Sequence, residues 1–464
     1  MNRTKKLFSN SIIFVIGNMG SKLISFLMVP LYTFYLSTGQ FGTVDLILTT
    51  VNLCLPLVSF SLYDAVFRFI MDKNSNRSKV LATAFFSTVI LSIISGCVIN
   101  FIGFLQKDYL LIFSLILTVT AIFTMFQNFV KAMGDSKTFA FSGILNTLIF
   151  ACLNVIFLIF LKLGVLGYLI SYFLGVSMAT LYLLIRERLW NFLSFKNFSI
   201  VELKEMLRYS LPLIPNSLAW WFTNDASKFF ILMFVGISGN GLFAVANKLP
   251  SIVNMFFNVF TQAWQISAVD EFKSNDKAEY FTKVLKYLVG IQVILIAAFL
   301  VILRPFVRIL FSEQYFDAWK YVPLMLLSVL FANASAFLGT MYLAAKRTAG
   351  VFTTTVVGMI VNVLTSWLLT AKLGIFGTCT GVLLGFIIVF GIRIIDVKKF
   401  VNVKVEWLNF ILSIGLILSM NVVLFISNVW IRYAIVGMLF LAILILQSFI
   451  FKDIKNLMHK YILK

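Results

Sequence analysis

The sequence predicts an all-α, polytopic membrane protein of fourteen transmembrane helices, arranged as six, six and two. Three observations carry this. Hydrophobic residues make up 61% and charged residues only 12% of the 464 positions, whereas soluble domains are about half apolar and a quarter charged. Apolar runs of the ~18 residues or more that a bilayer core requires recur from end to end. Lys and Arg outnumber Asp and Glu by 38 to 18, and the excess falls in alternate connections between those runs.

Charge clusters and Gly-containing turns bound the runs near residues 8–36, 42–69, 80–104, 110–130, 139–161 and 166–186. A second set runs near 210–236, 241–268, 284–303, 321–344, 352–371 and 376–394, and two more lie near 408–428 and 432–451. Arg3, Lys5 and Lys6 give the first run a signal-like start. That run is too long for a cleaved signal core and contains Asn18 and Lys22, so it reads as a retained first helix. The stretch KLGVLG at Lys162–Gly167 returns as KLGIFG at Lys372–Gly377, 210 residues later and at the same place in the helix order. A looser echo links TGQFGTVD around Gly42 with SGNGLFAV around Gly241. Six helices separate equivalent positions, so the two units should share one orientation, related by an axis along the membrane normal. The expected organisation is a six-helix bundle at 1–186, a linker at 187–209, a second bundle at 210–394, and two helices with a basic tail at 395–464. The linker interleaves Leu189, Phe192, Phe195, Phe198, Leu203 and Leu207 with Arg188, Lys196, Lys204 and Arg208, as a surface-lying amphipathic segment does.

With the N-terminus placed in the cytoplasm, cytoplasmic segments hold 27 Lys and Arg and external segments seven. The positive-inside rule therefore puts both termini in the cytoplasm. The external seven are Lys107, Lys162, Arg304, Arg308, Lys320, Lys372 and Arg432. The longest external segment, 304–321, carries Glu313 and Asp317 and reads as a solvated loop.

The formal charge of +20 belongs to loops of a membrane protein, so nucleic acid is set aside. Cys54, Cys97, Cys152 and Cys379 sit inside apolar runs with no pairing or CxxC pattern, and His459 is the single histidine. No catalytic residue, metal site or cofactor is expected, and no nucleophile or P-loop motif points to an enzyme.

The informative residues are the ionisable ones inside spans. An ionised group at the bilayer centre costs roughly 2.5 to 3.5 kcal/mol on insertion scales, so those retained face water, a partner or a substrate. They are Lys22 in the first span, Asp45, Asp64 and Arg68 in the second, Asp225 and Lys228 in the seventh and Lys248 in the eighth. These are the first two helices of each repeat, as expected if four helices line one cavity. Spacings of three and four place partners on one helix face: Asn18 with Lys22 and Ser25, Asn224 and Asp225 with Lys228, and Asp64 with Arg68. In the eighth span Asn247, Ser251, Asn254, Asn258, Gln262 and Gln265 form a polar stripe about five turns long. It suits a water-lined wall or hydrogen bonding between helices. Arg68 suits snorkelling or a pair with Asp64, and Lys248 and Asp45 an interfacial place as well as a cavity, whereas Lys22 lies about 21 Å from either end of its span. Trp220 and Trp221 offer ring faces for sugar stacking or for packing.

The opening KLISFLMVPLYTFYLSTGQFGTVD from Lys22 to Asp45, the stretch LPLIPNSLAWWFTNDASKFFIL with GLFAVANKLP, and KLGVLG resemble the polysaccharide biosynthesis family of Wzx-type flippases. That family belongs to the multidrug/oligosaccharidyl-lipid/polysaccharide exporter superfamily. The resemblance implies a flippase of the bacterial cytoplasmic (inner) membrane. It would move undecaprenyl-pyrophosphate-linked oligosaccharide units to the outer leaflet by alternating access, for O-antigen, capsule or exopolysaccharide assembly. Membrane lipid would surround it, and a polysaccharide polymerase and other assembly proteins would work beside it. Lys22 and Lys228 are carried over as cavity cations for the pyrophosphate, with Arg68 and Lys248 as weaker candidates. Asn18, Asn224, Asn247, Asn254, Asn258 and Gln262 are the polar wall. Asp45, Asp64 and Asp225 are candidates for coupling to protons or sodium. The rivals are a cation-coupled multidrug exporter of the same superfamily and a flippase for the lipid-linked peptidoglycan precursor. A glycan polymerase or ligase would need a larger external loop than 304–321.

Overall fold

The computed structural model describes residues 19–72, 75–102, 107–272, 274–345 and 347–450. It is all-helical, and its chain divides into two compact units, Met1–Lys228 and Phe229–Lys464. Among the described residues eleven helices are long and apolar enough to cross a membrane unbroken, and Trp407–Val423 is a shorter apolar helix. The other two expected spans, the first and the seventh, are interrupted.

In the first unit, α1 (19–27) and α2 (Val29–Tyr35) meet at Met28, where Pro30 leaves a carbonyl of the preceding turn without its amide donor. Next, α3 (Thr38–Val58) opens on a capping box in which Ser37 and Gln40 satisfy each other's backbone amides. The single second span expected over 42–69 is two helices. Phe60 and Ser61 both take left-handed backbone, φ 48° and 50°, and α4 (Leu62–Ile70) starts after them. Neither is glycine, so the break stores strain of about 1 to 3 kcal/mol per residue. The remaining spans are α5 (Arg77–Ile102), α6 (Lys107–Ala132), α7 (Ser136–Asn154, continued by a π-helical turn Val155–Phe160) and α8 (Gly164–Arg186). The linker folds into α9 (Ile200–Ser210), whose Met206, Leu203 and Leu207 join Leu189 and Phe192 against the core formed by α4, α5, α6 and α8. Finally α10 (Leu213–Asn224) leads to α11 (Ser227–Phe234), within which the units divide.

Asp135 is the N-cap of α7. Its carboxylate accepts from the Lys137 amide at 3.1 Å and from the Thr138 amide and hydroxyl at 3.0 and 2.8 Å. Partial burial pushes this carboxyl up, but those hydrogen bonds, with Arg186 nearby, outweigh it and hold the group below the usual carboxylate range. A depressed pKa contributes stability that is present above the unfolded value near 3.9 and lost as pH falls through the folded value. Asp135→Ala should therefore cost about 1 kcal/mol at pH 7, and the difference from wild type should shrink below about pH 4. Melting temperatures in detergent at both pH values check this.

The second unit contains α12 (Ile237–Glu271), α13 (Lys277–Leu310), α14 (Val322–Ala344), α15 (Thr348–Leu373), α16 (Ile375–Asp396), α17 (Trp407–Val423) and α18 (Val429–Leu446). The most enclosed is α14, with 78% of its apolar window buried. The stretch 304–321, expected as a solvated loop, is instead the end of α13 and a 3-10 segment Glu313–Lys320 with Tyr315 and Trp319 buried. Apolar side chains at that spacing favour packing over solvation. Arg393 lies inside α16. It is 6% exposed, and it donates to the Ser335 carbonyl at 2.7 Å and to the Thr354 and Thr355 hydroxyls at 3.0 Å, binding α14, α15 and α16 together.

The sequence repeat appears inside each unit as the same hairpin. Lys162 and Gly164 take φ 52° and 56° between α7 and α8, and Gly374 takes φ 58° between α15 and α16. Small residues four apart then line one face of each following helix: Gly167, Ser171 and Gly175 in α8, and Gly377, Gly381 and Gly385 in α16. A Cβ on Gly175 would lie 3.1 Å from the Asn146 carbonyl oxygen, and one on Gly377 2.2 Å from that of Leu369. Absent side chains let the helix backbones touch, which is how apolar helices associate where lipid offers no hydrophobic drive.

Candidate functional site

The site is a lysine held between two carboxylates inside the first unit. Lys228 Nζ lies 3.1 Å from Asp45 Oδ2, 3.0 Å from Asp225 Oδ1 and 2.9 Å from the Thr49 hydroxyl. An ammonium has three N–H donors, and three partners use them. The side chains are 11%, 16% and 29% exposed for Lys228, Asp45 and Asp225. One cation facing two carboxylates leaves a formal charge of −1 when all three are ionised.

The local fold explains the assembly. Asp45 and Thr49 are one turn apart on α3 and so share a face. On the other strand of the site, α10 ends at Asn224, and a turn in which Lys228 N–H donates to the Asp225 carbonyl at 3.1 Å leads into α11. This break brings the Asp225 and Lys228 side chains to the same point. Trp221, one turn before Asp225, donates its indole N–H to the Thr49 carbonyl at 3.0 Å and ties α10 to α3. Behind Asp45 lies an aromatic cluster. Tyr168 interacts electrostatically with Asp45, its ring is 5.0 Å from that of Tyr32, and the buried Tyr32 hydroxyl has no hydrogen-bond partner among the described residues. Discontinuous helices that supply charged side chains and freed backbone groups are the usual material of transporter binding sites.

Of the residues selected by sequence, the structure brings together Asp45, Asp225 and Lys228. Lys22 stays apart: Gly20 and Ser21 lie toward α7, near Ile144 and Gly143, which leaves Lys22 and Ser25 exposed. Arg68 is exposed in the last turn of α4 and makes no ion pair with Asp64 among the described residues. Asn224 is exposed and donates to the Trp220 carbonyl at 2.7 Å. In the second unit Asn247 and Asn258 are exposed and Lys248 and Asn254 half-buried on α12, whose Phe243, Leu249, Val253 and Phe257 are buried. Asn18 and the Gln262 side chain lie outside the described residues. Sequence reading missed Thr49, Tyr168 and Tyr32. The signal for Thr49 was its spacing of four from Asp45. No group of three or more potential metal ligands occurs among the described residues.

Residues 7–265 match the family described as polysaccharide biosynthesis protein. The chain belongs to the polysaccharide biosynthesis protein family. No curated protein sequence matches it. Among solved structures, this family member is similar to the lipid II flippase MurJ in an inward closed conformation, with a TM-score of 0.70 and 13% identity. That likeness covers 96% of this chain and 99% of the other. A mutant of the Vibrio cholerae MATE transporter VcmN is similar at TM-score 0.58 and 13% identity, over 85% and 96% of the two chains. An inward-facing multidrug resistance MATE family transporter of the MOP superfamily gives 0.58 and 15%, over 86% and 96%. At these identities the likeness defines a shared fold, that of the MurJ and MATE transporters.

Proposed function

We propose that this polysaccharide biosynthesis protein is a flippase that carries polyprenyl-pyrophosphate-linked oligosaccharide units from the cytoplasmic to the outer leaflet by alternating access. The observation that carries the reading is the end-to-end fold likeness to a lipid II flippase in a chain of a polysaccharide biosynthesis family. A glycan cannot cross hydrocarbon unaided, whereas its polyprenyl tail can stay in lipid while the head moves through a polar path. Lys22, exposed on α1, is the leading cation for the pyrophosphate, through charge-assisted hydrogen bonds. Lys228 has a different part. With all three of its donors used, it is a latch on Asp45 and Asp225, opened when a proton or sodium ion takes its place on the carboxylates. An inside-negative potential adds about 2.3 kcal/mol per uncompensated charge per 100 mV toward outward movement of an anion, and the latch would couple an inward cation to the same cycle.

A second reading is flipping of the peptidoglycan precursor, which the fold likeness to a lipid II flippase fits equally well. Deleting the gene and identifying the lipid-linked intermediate that accumulates on the cytoplasmic leaflet separates the two. An oligosaccharide repeat unit with loss of a surface polymer supports the first reading. A peptidoglycan precursor with arrested growth supports the second, and accumulation of neither rejects both. Lys22→Ala should abolish polymer export at wild-type abundance and Lys22→Arg should retain part of it. Normal export by the alanine variant would remove Lys22 from the substrate path.

A further inference from the structure

At one end of the second unit, two arginines converge on a helix terminus without an acid to balance them. Arg304, near the end of α13, donates to the Leu424 carbonyl at 2.9 Å. Arg432, in the first turn of α18, donates to the Ile426 carbonyl at 3.0 Å. Both carbonyls follow the last turn of α17, where unsatisfied backbone oxygens attract cations. The two guanidinium groups lie close enough to repel each other, with Arg308 also within reach. Capping explains one donor on each side chain out of five. Arg432 is only 5% exposed, and its Nε–H has no partner among the described residues. No carboxylate pairs with either arginine among the described residues, and Asp317 is engaged with Lys320 at 2.8 Å.

A buried guanidinium with an idle donor beside a second one is an arrangement that an anion completes. Aromatic rings frame it: Arg304 lies 4.5 Å from the centre of the Trp319 ring and Arg432 5.0 Å from that of Tyr433. The approach is apolar. Ile309, Val422 and Trp430 are all more than 70% exposed around these helix ends, as acyl chains tolerate and water does not. Trp and Tyr with Arg at the ends of apolar helices mark the headgroup level of a bilayer.

We infer that Arg304 and Arg432 build a site for the phosphate group of an anionic membrane lipid. The planar forks of the two side chains suit phosphate oxygens, and the acyl chains would lie along the exposed apolar ends of α13 and α17. The site lies within the second unit and does not depend on the cargo.

The test uses the full-length protein purified in detergent, with retained lipid read by native mass spectrometry and stability by melting temperature. Dioleoyl phosphatidylglycerol should bind and raise the melting temperature, and dioleoyl phosphatidylcholine should do so far less. The double variant Arg304→Gln/Arg432→Gln should weaken phosphatidylglycerol binding about tenfold or more, the loss of one to two charge-assisted contacts. Arg304→Lys/Arg432→Lys keeps the charge and the carbonyl caps, so it should fold and lose affinity only in part. Arg308→Gln should bind as wild type does. Equal binding of the two lipids, or undiminished phosphatidylglycerol binding by a folded Gln variant, would overturn the site. Protection by inorganic phosphate equal to that by phosphatidylglycerol, with no lipid retained, would overturn the lipid assignment.

Discussion

Lys228→Met is expected to destabilise the protein by about 2 to 4 kcal/mol and to abolish transport. Removing one member of a buried ion pair costs about 3 to 5 kcal/mol because it strands the other charge, and the partial exposure of Asp225, 29% by side chain, relieves some of that. Here the loss strands two carboxylates, Asp45 and Asp225, which lay 3.1 and 3.0 Å from the same ammonium. They can then coexist only by taking up a proton or a cation. Adding Asp45→Asn to Lys228→Met should therefore restore stability, so that the two changes together cost less than their sum by 1 kcal/mol or more. Transport should not return, because the cation that exchanges on the carboxylates is still absent. Melting temperatures of the four proteins of the cycle, with polymer export measured in cells, check both parts. Equal stability of Lys228→Met and wild type would show that the lysine is not needed to balance the acids. Recovery of export in the double variant would show that it is not a latch.

How much of this was legible in the sequence follows from the range of each interaction. Apolar run length is local and sufficient in lipid, so the spans were placed, and the recurrence of KLG led to the matched hairpins with their left-handed turns at Gly164 and Gly374. Asp225 and Lys228 were legible as neighbours from their spacing of three, although the turn between α10 and α11, not a continuous helix, brings them together. The partnership of Lys228 with Asp45 bridges 183 positions, and no periodicity carries that information. The breaks were less legible still. Nothing in Phe60 and Ser61 announces a left-handed backbone, since neither is Gly or Asn, and Asp225 reads as an ordinary helical position until Trp221 is seen tied to Thr49. Arg393, at the end of the expected span 376–394, carried no local signal of its role. Only the hydroxyls and the Ser335 carbonyl gathered around it reveal a clamp.

The same substitution, glycine to alanine, should have opposite effects at two positions of α16. At Gly377 a Cβ would stand 2.2 Å from both the carbonyl carbon and oxygen of Leu369 and 2.5 Å from the Thr370 amide nitrogen. All of these are backbone atoms, so no rotamer change relieves the contact, and α15 and α16 must separate along the face that Gly381 and Gly385 share. Overpacking costs about 1 to 3 kcal/mol even where side chains can yield. A clash against backbone belongs at or above the upper end. At Gly391, four turns further along the same helix, a Cβ would meet nothing within 4 Å. There alanine only removes conformational freedom from the unfolded chain and favours the helix, worth up to about 1 kcal/mol. Gly377→Ala should thus lower the melting temperature and the folded yield, while Gly391→Ala should leave both unchanged or raise them. The pairing matters because helix propensity acts in the same direction at both sites, so the backbone contact at Gly377 is what reverses the sign. If the two variants melt alike, the α15–α16 hairpin is not held by close approach of its backbones, and the glycine spacing repeated in α8 loses its structural meaning as well.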